Sequence, residues 1–216
     1  TVHQNPSSST HSLIYVKGAP DVLLPKCTSY WSKDGVAKPL DAAAKDMFSA
    51  FQQKLSRRAQ RVIVLCQREY APTAAVGTNQ FNDELLANGV QDLTIIGIFG
   101  IIDPPRPEIP ETVAACRRAG IRFFMVTGDF GLTAAAIARD IGIFSGTAEP
   151  DTVADLVASP VAVPAEKNEE RSRRSLMVEG SQISTLSENQ WNSICQYEEI
   201  VFARTTPEQK LRIVEE

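Results

Sequence analysis

Ile121-Arg122-Phe123-Phe124-Met125-Val126-Thr127-Gly128-Asp129 begins as an apolar, aromatic run and stops on three residues suited to a tight turn. A run of that length and composition, bounded by a turn, predicts a buried strand. Beyond it, Ala134, Ile137, Ala138 and Ile141 recur at spacings of three and four, with Gly142 just past them. That pattern predicts a helix with one apolar face and a glycine C-cap. A similar pair comes before: Leu93 to Ile102 reads as a buried strand, and Ile109, Val113 and Cys116 mark one face of a helix stopping at Gly120. Downstream, Ser175 to Val178 and Ile200 to Phe202 resume as strands around an amphipathic segment at Trp191 and Ile194, and Pro207 opens a last helix. Strands alternating with helices predict an α/β lobe with a parallel, doubly wound sheet over residues 92–216.

The first 91 residues read differently. Ser12 to Val16 predicts a strand, and Gly18, Ala19 and Pro20 turn the chain into a short helix ending near Cys27. Asp41 can cap a helix whose apolar face is Ala44, Met47, Phe48, Phe51 and Leu55. Arg61 to Cys66 reads as another strand, and Ala71 to Gly89 as a polar loop with a short helix. Together these predict a small α+β lobe. Residues 145–175, with a mixed charge run from Glu166 to Arg174, read as a solvated surface insertion on the second lobe.

The 216 residues are 43% hydrophobic and 22% charged, enough for one large or two small folded domains. A net charge of -4 without a basic stripe argues against a nucleic-acid partner, which needs a phosphate-neutralising surface. Cys27, Cys66, Cys116 and Cys195 stand far apart with no CxxC or Cys/His cluster, so no metal site and no disulfide framework is assigned, and a reducing compartment fits. The longest apolar run, Leu93 to Ile102, is about half of the ~20 residues a membrane-spanning helix needs. Thr1 is not a natural start, and Glu215 and Glu216 fall in an apparently helical segment, so the chain is expected to be a piece of a longer protein.

Three strands end in polar signatures: Asp103-Pro104-Pro105-Arg106, Thr127-Gly128-Asp129, and Arg204-Thr205-Thr206-Pro207. In an open α/β sheet, ligands bind outside the carboxyl ends of the strands. A threonine hydroxyl and a glycine amide just before a helix favour a phosphoryl group. Each signature also has a plainer reading. Pro104 and Pro105 can simply end a strand, Thr-Gly-Asp is a common turn with a cap, and Lys210 can be an ordinary exposed lysine.

Order and spacing separate these readings. Lys17-Gly18-Ala19-Pro20, Arg61-Val62, Asp103-Pro104-Pro105-Arg106, Met125-Val126-Thr127-Gly128-Asp129, and Val201 through Lys210 together resemble the P-type ATPase family, in that family's order. The resemblance covers nearly the whole chain. Within the family the sequence looks most like sodium/potassium and proton/potassium pump catalytic subunits, with fungal and protist relatives. It implies a partial haloacid-dehalogenase-like, Rossmann-like phosphorylation domain (92–216) beside the C-terminal part of an α+β nucleotide-binding domain (1–91).

The resemblance also implies an ATP-driven cation pump, with ATP and Mg2+ as cofactors and Na+, K+ or H+ as the transported ions. It further implies an accessory subunit as a partner and a multi-pass membrane protein with this segment on the cytoplasmic side. By resemblance, Lys17 and Gly18 line the adenosine pocket and Arg61 reaches the phosphate tail. Thr127 and Gly128 would hydrogen-bond the transferred phosphoryl, and Asp129 would neighbour ribose or magnesium. Lys210 would neutralise charge on the phosphoryl and acceptor, Asp103 would mark the hinge with Arg106 beside it, and Arg204 would act from the segment before the lysine. A guanidinium, a lysine and backbone donors suit phosphoryl transfer, where positioning and electrostatics are most of catalysis.

The sequence also departs from the family. The Asp-Lys-Thr-Gly-Thr motif with the phosphorylated aspartate and the magnesium-binding Gly-Asp-Gly-Val-Asn-Asp motif are not in these residues, so the chain by itself is expected to turn nothing over, and the magnesium ligands lie mostly elsewhere. Phe130 stands where the subgroup has histidine, and Ala135 where it has lysine. Two other readings stay open. A soluble haloacid-dehalogenase phosphatase would need an Asp-x-Asp pair, which does not occur here, and a regulatory nucleotide-binding module would lack catalysis.

Overall fold

The computed structural model describes residues 1–8, 10–158 and 175–216. The chain divides into two units, Thr1–Leu55 with Val62–Ile101, and Ser56–Arg61 with Ile102–Glu216.

In the first unit the elements run β1 (Val2–Gln4), β2 (Ser12–Gly18), α1 (Pro20–Leu23), β3 (Cys27–Trp31), β4 (Ala37–Pro39), α2 (Ala42–Ser56), β5 (Arg61–Tyr70), α3 (Asn79–Asn88) and β6 (Leu93–Ile101). The six strands form one sheet in the order β1-β2-β5-β6-β3-β4. β2 runs antiparallel to β5, placing Lys17 opposite Leu65 and Gly18 opposite Val64. The core joins Val64 and Cys66 of β5, Leu93 and Ile95 of β6, Cys27, Leu23, Leu40 and Ala44.

The strand at Leu93 therefore does not open the second lobe, as the sequence suggested. β6 runs parallel to β3, with Cys27 opposite Leu93, and its inward side chains complete the first core. Apolar surface left uncovered on β3 and β5 is what pulls it in, so the division falls after Ile101 rather than at residue 91.

Helix α2 is capped as expected, Asp41 Oδ1 accepting from the Ala44 amide at 2.8 Å. Its buried face is the expected one only in part. Ala44 is buried and Phe48 and Leu55 half-buried, as expected, whereas Met47 and Phe51 are 53% and 44% exposed and Gln52 and Ser56 are buried in their place. The face follows spacings of three and four and takes in two polar residues that hydrophobicity alone would turn outward.

The second unit holds α4 (Ile109–Arg118), β7 (Phe123–Val126), α5 (Gly131–Asp140), β8 (Asp151–Thr152), α6 (Val153–Ala158), β9 (Ser175–Glu179), α7 (Gly180–Ile183), α8 (Glu188–Ile194), β10 (Glu199–Ala203) and α9 (Pro207–Glu215). Its four-stranded sheet, in the order β7-β10-β9-β8, is parallel throughout, as predicted. One core packs α4 and α5 on the sheet through Val113, Ala134, Ala138 and Val201, and another packs α7 and α8 through Ile183, Trp191 and Ile194. Gly120 ends α4 at φ 74°, a left-handed cap only glycine adopts freely.

The first half of the expected insertion belongs to the fold. β8 pairs with β9, and Leu156 of α6 is buried against the same core as Leu176. A two-residue strand is too short for periodicity to reveal. Residues 159–174, with the charge run Glu166 to Arg174, lie outside the described residues.

Strand β10 is fully buried and starts on a carboxylate. Glu199 is 0% exposed. It accepts from Ser145 Oγ at 2.6 Å, Ser145 N at 3.0 Å and Ser175 Oγ at 2.7 Å, and pairs with Arg117 at 2.9 Å. Burial opposes its charge, but the two serine hydroxyls, the Ser145 amide and the Arg117 guanidinium outweigh it and hold the carboxyl below its ordinary range. This network joins α4, the segment after α5, β9 and β10 at the amino end of the sheet, and so sets the strand whose other end carries Arg204 and Thr205.

Candidate functional site

At the carboxyl ends of β7 and β10 the second unit gathers a polar cluster. The Thr127 amide donates to the Phe202 carbonyl at 2.9 Å, extending the β7–β10 pairing one residue past the strand. Thr205 then donates twice to the Thr127 carbonyl, from its amide at 3.1 Å and its hydroxyl at 3.0 Å. The Arg204 amide donates to the Asp129 carbonyl at 3.1 Å. Two backbone bonds and the Thr205 hydroxyl thus knit the Thr-Gly-Asp turn to Arg204-Thr205.

Side chains complete the turn. The Asp129 amide donates to Thr127 Oγ1 at 3.1 Å, and that hydroxyl donates to Asp129 Oδ2 at 3.0 Å. Arg61 lies in the second unit by its contacts, and its Nε and Nη2 approach Asp129 Oδ1 at 2.8 and 2.6 Å. The Arg61 side chain is 68% exposed and that of Asp129 17%, so Arg61 keeps an open side toward solvent. Thr133 Oγ1 donates to the Gln60 carbonyl at 3.1 Å, which fixes the backbone just before Arg61.

Arg204 has φ 55°, left-handed for a residue with a side chain. Such backbone costs of order 1–3 kcal/mol and persists where its surroundings over-determine it. Here the bond to Asp129 holds it, and the chain packs so closely that a Cβ on Gly180 would overlap the Arg204 carbonyl oxygen. The Arg204 guanidinium lies 5.6 Å from the Phe130 ring centroid, so Phe130 carries a cation on its face.

The cluster brings together Thr127, Asp129, Arg61 and Arg204, with exposed Gly128 at its centre. Other expected residues stand apart. Lys210 is exposed on α9, whose start is capped by Thr206 and Gln209, and among the described residues no hydrogen bond or ion pair joins it to the cluster. Asp103 and Arg106 lie in the exposed segment before α4 without an ion pair among the described residues. Lys17 and Gly18 belong to the first unit, Lys17 exposed on β2 and Gly18 at its end.

Sequence reasoning gave no role to Thr205, which is buried to 8% exposure and orders Thr127 through two bonds. The signal was its place beside Arg204, at a strand end facing another strand end. Glu179 was missed altogether: its side chain caps α7 and lies where a Cβ on Gly131, the first residue of α5, would point.

A hydroxyl, an exposed glycine amide and a guanidinium at the carboxyl edge of a parallel sheet fit a phosphoryl group. They do not by themselves make a magnesium site. Mg2+ wants several oxygens; Asp129 is already engaged by Arg61 and Thr127, and no group of three or more potential ligands forms among the described residues.

A family model for the cytoplasmic domain N of P-type ATPases matches residues 1–108. That span takes in β6, in keeping with its place in the first sheet. The sodium/potassium-transporting ATPase alpha subunit of Tetronarce californica is 35% identical over all 216 residues, and the alpha-A subunit of Artemia franciscana is also 35% identical over all 216. The alpha subunit of Drosophila melanogaster is 36% identical over 204 residues, 94% of this chain. The alignments take in 21%, 21% and 19% of those proteins, so the chain spans about a fifth of the length of the curated relatives it matches. No helix among the described residues is long and apolar enough to cross a membrane. The chain belongs to the P-type ATPase family.

Proposed function

We propose that this chain is the C-terminal part of the nucleotide-binding domain and part of a haloacid-dehalogenase-like phosphorylation domain of an ATP-driven cation pump, with the division after Ile101. The observation that carries this reading is the meeting of Thr127, Asp129, Arg61 and Arg204 at the carboxyl ends of two adjacent parallel strands. A γ-phosphoryl seated at that edge would take the Thr127 hydroxyl and the Gly128 amide as donors, and would compete with Asp129 for Arg61. Lys210 would supply a further positive charge from α9.

β7 is an edge strand, open on the side away from β10 among the described residues. That edge supports a further strand bringing the acceptor aspartate beside Thr127. Lys17 and Gly18 would hold the adenosine in the first unit, Asp103 and Arg106 would mark the hinge, and Arg204 would keep the phosphate loop in register. Mg2+ would be held mostly by residues outside this chain. In the whole pump, transport would carry Na+, K+ or H+ across a membrane, with this segment on the cytoplasmic side and an accessory subunit as a further partner.

A chemical-shift titration of the chain with Mg-ATP tests the reading. Shifts at Lys17, Gly18 and Thr127 without phosphate release are expected. Phosphate release that Thr127→Ala abolishes would contradict the expected inactivity of the chain, and an unperturbed Lys17–Gly18 segment would overturn the adenosine assignment.

A further inference from the structure

Of the two polar residues buried on α2, Gln52 lines a cavity. It is 8% exposed, and among the described residues its side-chain amide neither donates nor accepts a hydrogen bond. An amide buried without a partner forfeits the bonds it makes in water, a cost that a bound group of matching chemistry would remove. The cavity, about 330 Å3, lies between α2 and the stretch from α1 through the turn at Leu24–Lys26. That is near the lower end of the ~300–1,000 Å3 typical of ligand pockets. Its lining shares no residue with the proposed nucleotide site.

The walls restrict the chemistry of an occupant. Pro20, Leu24, Pro25, Leu40 and Phe48 make them largely apolar. The two prolines have no backbone N–H to offer Gln52 Oε1. Phe48 is held edge-on to Tyr30, with ring centroids 5.5 Å apart, so that wall is fixed by the core. Along α2, Lys45, Phe48, Ser49 and Gln52 follow at spacings of three and four and share one face. Asp21 and Lys45 put one charge of each sign on the lining, which favours neither a polyanion nor a cation. What fits is a neutral group that donates to Oε1 and accepts from Nε2, joined to an apolar side chain. A residue of extended peptide is such a group, because its N–H and C=O point the same way, as in a hydrogen-bonded antiparallel pair.

We infer that this cavity binds an uncharged, extended segment of a partner protein. One residue of the segment pairs its N–H and C=O with the Gln52 amide and sets a leucine-sized side chain against Leu24, Leu40 and Phe48. Backbone pairing supplies the orientation and the apolar pocket the choice of side chain.

The test titrates the isotope-labelled chain with N-acetyl-leucine N-methylamide and follows the Gln52 side-chain amide by nuclear magnetic resonance. Saturable shifts at Gln52 and Phe48 are expected, with or without Mg-ATP. The analogue methylated on the leucine nitrogen keeps the side chain but loses the donor, and should bind about tenfold more weakly. Gln52→Met should weaken binding of the parent compound by about tenfold as well. It should leave the thermal midpoint of the free chain unchanged or raised, because it removes an amide that has no partner. Equal binding of the two compounds to the unsubstituted chain would show apolar contact alone and overturn the assignment, without relying on any variant to fold. So would the lack of a saturable shift at Gln52, the result expected if the amide holds a water only. Displacement by Mg-ATP would give the cavity to the nucleotide, and a lowered midpoint in Gln52→Met would give the amide a structural role; either also overturns it.

Discussion

Replacing Glu199 by alanine should weaken the second unit more than any single change at the candidate site. The carboxylate is wholly buried and accepts from Ser145 Oγ, Ser145 N, Ser175 Oγ and Arg117. Its removal leaves Arg117, whose side chain is only 19% exposed, with no opposite charge and only the Ile143 carbonyl as acceptor, and strands three hydrogen-bond donors. Breaking a buried pair by deleting one partner costs roughly 3–5 kcal/mol, a large part of the ~5–15 kcal/mol holding a typical domain. Because β10 runs from Glu199 to Ala203, the loss loosens the strand that leads into Arg204 and Thr205. Urea unfolding followed by fluorescence reads this directly, since Trp191 is 4% exposed and packs 6.2 Å from Phe202 in the same unit. Arg117→Met combined with Glu199→Gln should cost less than the two single changes added.

The pH dependence follows from the direction of the shift. The folded-state carboxyl ionises below its ordinary value of 4.5, so its stabilisation is complete above that value and is lost as pH falls through the lowered one. The gap between wild type and Glu199→Ala should therefore be full at neutral pH and shrink in acid. A loss under about 1 kcal/mol at neutral pH, the size of one ordinary hydrogen bond, would refute the reasoning.

Gly180→Ala should destabilise the second unit by about 1–3 kcal/mol, because its Cβ meets the Arg204 carbonyl oxygen and Gln209 Oε1; thermal unfolding measures it. Arg204→Gly should change stability by less than about 1 kcal/mol, relief of left-handed strain offsetting the freer unfolded chain, yet lower nucleotide affinity measured by calorimetry. Glu84 accepts from Tyr70 Oη, from the Thr73 amide and hydroxyl and from the Ala74 amide. The Tyr70 hydroxyl and those amides push its carboxyl down to about 2. Protection of the Thr73 and Ala74 amides from hydrogen exchange should hold from pH 7 down through 4.5 and fail as pH approaches 2, whereas Glu84→Gln should weaken it throughout.

Much of the second unit was legible because its strands and helices are long enough for periodicity to register. Gly120 and Gly142 ended their helices where expected, at φ 74° and 78°. The reading failed where local pattern and tertiary demand diverge. Leu93 to Ile101 reads as a buried strand in either unit, and nothing in its residues states that Cys27 and Val64 are waiting for it. On α2, Gln52 and Ser56 are buried while Phe51 is exposed, because sheet position rather than hydrophobicity selects the face. At the site, motif order supplied Thr127, Asp129 and Arg204, but the left-handed backbone of Arg204 and the double donation by Thr205 depend on the approach of β7 to β10. Only the folded chain brings those strand ends together.

Calorimetric titration of the chain with Mg-ATP, comparing wild type with Lys17→Ala and Arg61→Ala, tests the central reading most directly. The account predicts measurable binding that weakens at least tenfold in each variant. Wild-type binding left unchanged by both substitutions would contradict it.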